Sequence, residues 1–453
     1  MRPTLYASEW LMPVTSEPVR DGAVLVDEQG LIGAVGPRAD IEVGEDVAVV
    51  DLGAAILLPG LVNVHAHPEL AGMRGLLEDL PFHQWIPRLR RAKEGARAEE
   101  GDLGAAARWT CLEAISAGVT TLAGTEDSGA ALDAMREAGL RGIVYREVFG
   151  PAPRQAQPAL QDLLQKVEAM RRSTTDLVHV GVSPHAPYTV SDELFRLVAS
   201  YATAERLPVA VHAAESEVEA QLVIDGDGPF AAGLRTRGID TAPRAVSPIA
   251  LLEQTGILAT QPLLIHCVRV DADDVRRIAD AGAVVAHCPV ANARLGHGIA
   301  PVVELAAAGV TIGIGSDSVA SNNRIDLLEE ARVAQLMQRA RLRSAGALTA
   351  TELLRMLTLD GARALGLDGR IGSLETGKDA DLCAVRIDAP HTHPVHDPAA
   401  ALLFSTRGSD VILTVVRGQI LYRDGRFFTL DPDRLRDRVA AGARRMAAAL
   451  EER

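Results

Sequence analysis

Two histidines one residue apart, His65 and His67, directly follow the apolar run 56–64. Strand side chains alternate between faces, so positions i and i+2 share one face and present two imidazoles side by side. Further along, His212, His266 and Asp317 each end another short apolar run. A catalytic zinc-type site takes three or so nitrogen or oxygen donors and keeps a position open for water. His65, His67, His212 and Asp317 supply three imidazoles and one carboxylate. The chemistry expected of them is hydrolysis assisted by one divalent cation, Zn2+ first and Fe2+ as the alternative. Any one of these residues alone is more often a hydrogen-bonded core side chain. The joint pattern is what points to a metal.

Glu215 follows His212 by three residues, an offset that carries it beyond the strand and over the cavity. A carboxyl beside an activated water can take its proton and pass it to a substrate. The plainer alternative is a solvated loop glutamate, since Glu217 and Glu219 follow closely. His266 reads as a fifth ligand or, preferably, as the group that orients the attacking water. His185, between Pro184 and Pro187, is either a substrate contact or a packed imidazole, and His287-Cys288 reads as structural. Lysines occur only at positions 93, 166 and 378. A two-metal site commonly needs a bridging modified lysine ending the fourth strand, and His185 stands there, so one cation is expected rather than two.

Eight strand-like runs position these groups: 60–67, 120–125, 142–149, 178–186, 208–215, 262–268, 283–290 and 311–318. Helix-like stretches such as 191–206 and 271–281 separate them, with Asp271 a candidate helix cap. Alternating strands and helices imply parallel pairing, and eight units close a TIM barrel whose catalytic groups sit at the C-terminal ends of its strands. The span 216–260 has room for an extra loop or helix. Strand-like pieces at 22–26, 31–35, 381–385 and 411–420 lie at opposite ends of the chain and suggest one small β domain built from both termini. The expected fold class is therefore α/β: a (β/α)8 barrel over 58–367, a composite β-sandwich from 1–57 and 368–430, and a terminal helix over 431–453.

A chain of 453 residues can bury a large core, and 47% apolar with 23% charged residues is an ordinary globular balance. The net charge of −14 and pI near 5.4 argue against a nucleic-acid partner. No stretch approaches the ~18 apolar residues of a membrane span, and the N-terminus lacks the apolar core of a signal peptide. Four cysteines in this length do not form a disulfide framework, which points to the cytoplasm. Assembly into a homo-oligomer stays open. Phosphate-cradling Gly-x-x-x-x-Gly-Lys-Ser/Thr and Gly-x-Ser-x-Gly motifs are both absent.

The ligand pattern, with Leu58-Pro59-Gly60-Leu61-Val62-Asn63 before it and 372–382 after it, resembles the amidohydrolase superfamily over nearly the whole chain. His185-Ala186-Pro187-Tyr188-Thr189, His212-Ala213-Ala214-Glu215 and His266-Cys267-Val268 are similar to its aminohydrolase branch, which includes methylthioadenosine/adenosylhomocysteine deaminases and chlorotriazine hydrolases. The resemblance implies that His65, His67, His212 and Asp317 hold the metal, Glu215 shuttles the proton, His266 and Asp317 orient the water, and His185 meets a small-molecule nucleoside. It also puts Glu94 where the nucleoside deaminases keep a ribose-binding glutamate. The stretches 80–87, 145–151 and 225–230 look like aminodeoxyfutalosine deaminases of the alternative menaquinone pathway, whose substrate is an adenosine with a benzoate-bearing tail. A cation for that carboxylate would be Arg154 or Arg146. The implied reaction is hydrolytic deamination of an adenine-type nucleoside, 6-aminodeoxyfutalosine before methylthioadenosine, adenosylhomocysteine or adenosine. The alternatives are another C–N or C–Cl bond (amide, guanidine, triazine) or a non-catalytic scaffold of the same fold.

Overall fold

The computed structural model describes residues 2–97, 99 and 101–451. Eight parallel strands, β1 to β8, run Leu61–Ala66, Val119–Glu126, Arg141–Val148, Val178–Pro184, Ala210–Ala213, Leu263–His266, Val284–His287 and Ile312–Ile314. Each pairs in parallel with the next within two four-stranded sheets, β1 to β4 and β5 to β8. Single bridges, Val182 to Val209 and Ala66 to Asp317, join the two sheets into a closed ring. Every residue of β1, β2 and β3 is buried, because the barrel interior covers one face and helices the other. That is why these strands read as near-continuous apolar runs.

Helices cover the barrel where the sequence places them. Ser191 caps Asp192–Glu205 by accepting from Leu194 N, and Asp271 caps Ala272–Ala281 by accepting from Asp273 N and Asp274 N. The span after β5 holds three helices, Glu217–Asp225, Gly228–Arg235 and Pro248–Gln254, the first and last capped by Ser216 and Ser247.

The two ends of the chain meet in one nine-stranded sheet, and its strands form the β-sandwich beside the barrel. Ala55–Pro59 pairs antiparallel with Leu382–Arg386, so the entry to the barrel is laid against its exit. Tyr6, Val24, Leu57, Leu382 and Leu413 share one apolar core drawn from both termini. One expected strand, 411–420, is instead two. Positive φ at Arg417 (46°) and Gly418 (77°) turns the chain, and Val411–Val416 pairs antiparallel with Gln419–Arg423. The β-branched run hides that turn, which only the glycine signals.

The last helix, Pro432–Glu451, packs on Phe82–Arg97 and Asp102–Ser116; residues 452 and 453 lie outside the described residues. Gly72 and Gly95 allow the close approach, since a Cβ at either would run into Met446 or Ala449. Arg445 Nε donates to the buried Asp102 at 2.7 Å. The helices Phe82–Arg97 and Asp102–Ser116 are thereby tied to the last helix.

Candidate active site

Asn63 stitches β1 to β8. Its Oδ1 accepts from Ser316 N at 3.0 Å and from His65 N at 3.3 Å, and its Nδ2 donates to Ser316 Oγ at 2.7 Å. β1 carries register shifts against β2 at Leu61/Val62 and Asn63/Ala66, irregularities of the kind that re-aim side chains near active sites. His67 has already left the strand, with φ −112° and ψ 89°. The His65 and His67 rings therefore meet edge to face, with centroids 4.9 Å apart, rather than lying parallel.

Three imidazoles and one carboxylate converge at the mouth of the barrel. Asp317 Oδ1 lies 3.4 Å from His65 Nε2 and 3.6 Å from His67 Nε2. His67 Nε2 and His212 Nε2 are 3.3 Å apart. His212 donates its Nδ1 hydrogen to His185 O at 3.0 Å, which leaves Nε2 as a lone pair facing the cluster. Neither ring nitrogen of buried His65 has a hydrogen-bond partner among the described residues. Burial, reinforced by the neighbouring imidazoles, holds His67 and His212 well below the usual histidine range, so both are neutral. Burial opposes the charge on Asp317, yet the approach of His65, with His266 and His67, holds its carboxyl well below the usual range. Neutral lone pairs and an ionised carboxylate around one point are a donor set for a divalent cation. Ligand atoms of His65, His67 and Asp317, and of His65, His212 and His266, are mutually close enough to hold one.

Backbone strain gathers here. Asp317 (φ 56°), His266 (79°), Cys267 (48°) and Ala214 (52°) all adopt the left-handed region without being glycine. Such strain is retained where a site needs its side chains aimed. Ser321 Oγ donates to Asp317 Oδ2 at 2.7 Å and fixes the carboxylate's rotation.

Glu215 is 3% exposed and faces this cluster from the end of β5. Its Oε1 lies 3.5 Å from His266 Nε2 and 3.2 Å from His297 Nε2, and its Oε2 accepts from Tyr188 OH at 3.3 Å. His266 donates through Nδ1 to Asn292 Oδ1 at 2.9 Å, which aims its Nε2 at Glu215. Burial pushes the Glu215 carboxyl up, but His266 and His297 outweigh it and the carboxyl stays low, hence ionised. Phe82, Tyr188 and Phe230 wall this side, Tyr188 and Phe230 stacked at 4.5 Å and Phe82 edge-on to His297 at 4.5 Å.

A cavity of about 780 Å³ opens beside the cluster between Arg97, Asp127, Arg146, Glu147 and Phe149. A charged network backs it: Lys93 holds the buried Glu69 and, at 2.6 Å, Asp127, which also meets Arg97 at 2.5 Å. Arg146 lines this cavity but faces Glu126 at 3.6 Å.

The structure brings together His65, His67, His212, Glu215, His266 and Asp317, with His185 alongside, 4.8 Å ring to ring from His212. It does not bring Glu94. Lys93 faces inward, and the next residue of a helix is turned by about 100°, so Glu94 is exposed and pairs with Arg90 at 3.0 Å. Arg154 is exposed on the turn Pro153–Gln155 and is not among the residues lining the cavity. Sequence reasoning missed His297, a lone histidine in a Gly-His-Gly loop with no periodicity to mark it. It also missed Glu147, although Tyr145 and Glu147 stand two apart on β3 and share a face.

Residues 56–421 match the model of the amidohydrolase family. The chain belongs to the amidohydrolase family. It is 34% identical to the 5-methylthioadenosine/S-adenosylhomocysteine deaminase of Syntrophobacter fumaroxidans, covering 93% of each chain. It is 32% identical to the enzyme of that name from Moorella thermoacetica, over 94% of this chain and 95% of the relative. Among solved structures it resembles an adenosine deaminase from Xanthomonas campestris with bound zinc, at TM-score 0.85 and 28% identity over 98% of both chains. The aminofutalosine deaminase of Helicobacter pylori, at TM-score 0.79 and 19% identity over 92% of this chain and 99% of that one, shares the fold. This amidohydrolase is accordingly a hydrolytic enzyme acting on carbon–nitrogen bonds. No helix among the described residues is long and apolar enough to cross a membrane.

Proposed function

We propose that this amidohydrolase is a metal-dependent hydrolytic deaminase of adenine-type nucleosides. The observation that carries the reading is Glu215, an ionised buried carboxylate held by His266, His297 and Tyr188 beside three imidazoles and Asp317. In this reading His65, His67, His212 and Asp317 hold one divalent ion, Zn2+ before Fe2+. When bound, such an ion lowers the pKa of a water toward ~7 and makes it a nucleophile at neutral pH. Asp317 and His266 orient the attacking water toward the amine-bearing ring carbon. Glu215 takes a proton from the attacking water and passes it to the adjacent ring nitrogen, which makes that carbon electrophilic; it then takes the remaining hydroxyl proton of the adduct and gives it to the departing amine. Ammonia leaves, and the keto base remains. His185, with Nδ1 bonded to Thr189 Oγ1 at 2.8 Å, keeps Nε2 free to meet the base. The aromatic wall of Phe82, Tyr188 and Phe230 excludes water around it.

The deaminase names of the full-length relatives support the adenine-nucleoside reading. A cavity of about 780 Å³ supports a substrate with a bulky arm on the sugar. We keep 6-aminodeoxyfutalosine first on its sequence motifs, with methylthioadenosine, adenosylhomocysteine and adenosine behind it. The division into a barrel over 58–367, a sandwich from 1–57 and 368–430 and a terminal helix from 431 belongs to the same proposal. So does a cytoplasmic setting, which four free, buried cysteines suit. The test is ammonia release by the zinc-loaded enzyme across these four nucleosides, followed by the ultraviolet change of the base. Deamination of at least one, fastest for a 5′-substituted adenosine, is expected. Turnover of a chlorotriazine or an amide with all four nucleosides untouched would overturn the proposal.

A further inference from the structure

Glu147 ends β3 on the same face as Tyr145 and is 7% exposed, yet its Oε1 has no hydrogen-bond partner among the described residues. His185 Nε2 is 3.9 Å from that oxygen, and ligand atoms of Glu147, His67 and His212 lie within 4.8 Å of one another. Burial pushes the Glu147 carboxyl up to about 8, and a buried carboxyl oxygen that nothing in the fold meets calls for a partner. Glu147 also lines the large cavity, between Arg146 and Phe149, with the Phe149 ring 4.9 Å from His185. The nearby cations are engaged elsewhere: Lys93 by Glu69 and Asp127, Arg146 facing Glu126.

We propose that Glu147 accepts hydrogen bonds from the ribose hydroxyls of the bound nucleoside, the role Glu94 cannot fill from its exposed ion pair with Arg90. The proposal rests on the nucleoside reading above. A carboxyl presents two oxygens to a vicinal diol: ionised it accepts from both hydroxyls, protonated it donates to one and accepts from the other, whereas an arginine has no acceptor and an amide only one acceptor oxygen. With the base against His185 and Glu215, a ribose gripped at Glu147 sends its 5′ arm into the cavity between Arg97 and Phe149. Glu147 thereby becomes the residue that separates nucleosides from free bases and deoxy sugars.

The experiment compares adenosine with its 2′-deoxy and 3′-deoxy analogues on zinc-loaded full-length enzyme, wild type beside Glu147→Gln and Glu147→Asp. Wild type should lose about 10- to 100-fold in kcat/KM when the bonded hydroxyl is removed, the range for a hydrogen bond to a charged group. Glu147→Gln should lose a similar factor on adenosine, mostly in KM, and almost nothing more on the deoxy analogue. Glu147→Asp guards against misfolding and should keep part of the discrimination. Variants that discriminate as sharply as wild type would overturn the proposal while leaving the deaminase reading in place. So would a variant that loses a second equivalent of bound zinc, which would put Glu147 on another ion. A wild type inactive on every nucleoside would overturn both.

Discussion

β3 carries a charged residue at each end of one face, and the two are treated in opposite ways. At the N-terminal end Arg141, 1% exposed, donates from Nε and Nη2 to Asp381 at 2.8 and 3.1 Å and from Nη2 to Asp379 at 2.8 Å. Those aspartates lie in the segment where the chain leaves the barrel for the sandwich, so the fork fastens one unit to the other. At the C-terminal end Glu147 has an oxygen without a hydrogen-bond partner, and His65 nearby also carries unmatched nitrogens. Ile143 and Tyr145 separate the two ends with apolar packing shared with Ala123, Ala210 and Ile265. One strand therefore shows the division of labour in this barrel. Arg141 at the bottom spends Nε and Nη2 on carboxylates of the fold and leaves only Nη1 unmatched, whereas Glu147 at the top keeps an oxygen that no side chain among the described residues hydrogen-bonds.

If that division holds, substitutions at the top should alter rate and leave stability nearly unchanged, and those at the bottom the reverse. The largest effect is expected at Glu215. Glu215→Gln keeps the shape but cannot shuttle a proton, and should lower kcat on the best nucleoside by about 10²–10⁴-fold with metal content and melting midpoint close to wild type. Undiminished turnover at full metal content would remove the shuttle role. At the other end Arg141→Met leaves buried Asp381 with only the Arg417 N–H, at 2.8 Å, and Asp379 with Arg370, at 2.7 Å. Breaking a buried ion pair from one side typically costs about 3–5 kcal/mol, read as a lower denaturant midpoint. Adding Asp381→Asn should recover part of that loss. The folded fraction should retain wild-type kcat; a rate that falls along with stability would show the two ends to be coupled.

How far each end was legible follows from the physics. The eight strands stood out because burial on both faces makes them apolar throughout, and the proposed ligands stood out because histidines at strand ends break those runs. Residues that act from loops carry no such frame. His297 meets Glu215 from a turn, and its significance lies in a contact between positions 82 residues apart that no local pattern encodes. Glu94 shows the converse: its place in the chain suits a sugar contact, but the helix turns Lys93 inward instead. At 411–420 the β-branched run masked a turn that two residues of left-handed backbone impose.

A smaller effect tests the boundary between the two regimes. Glu219 lies fully inside, in the helix after β5, and its carboxylate accepts from Ala214 N and Glu215 N, both at 2.8 Å. It is a top-end charge satisfied by the fold, holding the strained backbone that presents Glu215. Burial nevertheless pushes its carboxyl from 4.5 up to about 8, despite those two bonds. A carboxyl raised in the folded state binds its proton more tightly there than in the unfolded chain. Its contribution to stability is therefore complete below about pH 4.5 and is lost as pH rises through about 8. The slope for one such proton is on the order of 1 kcal/mol per pH unit. Glu219→Gln removes the titration, so its melting midpoint should fall less than that of wild type between pH 5 and pH 8. Parallel melting curves over that interval would mean that the two backbone bonds keep Glu219 ionised throughout, its charge held by the fold as Arg141's is by Asp379 and Asp381 at the opposite end of the barrel.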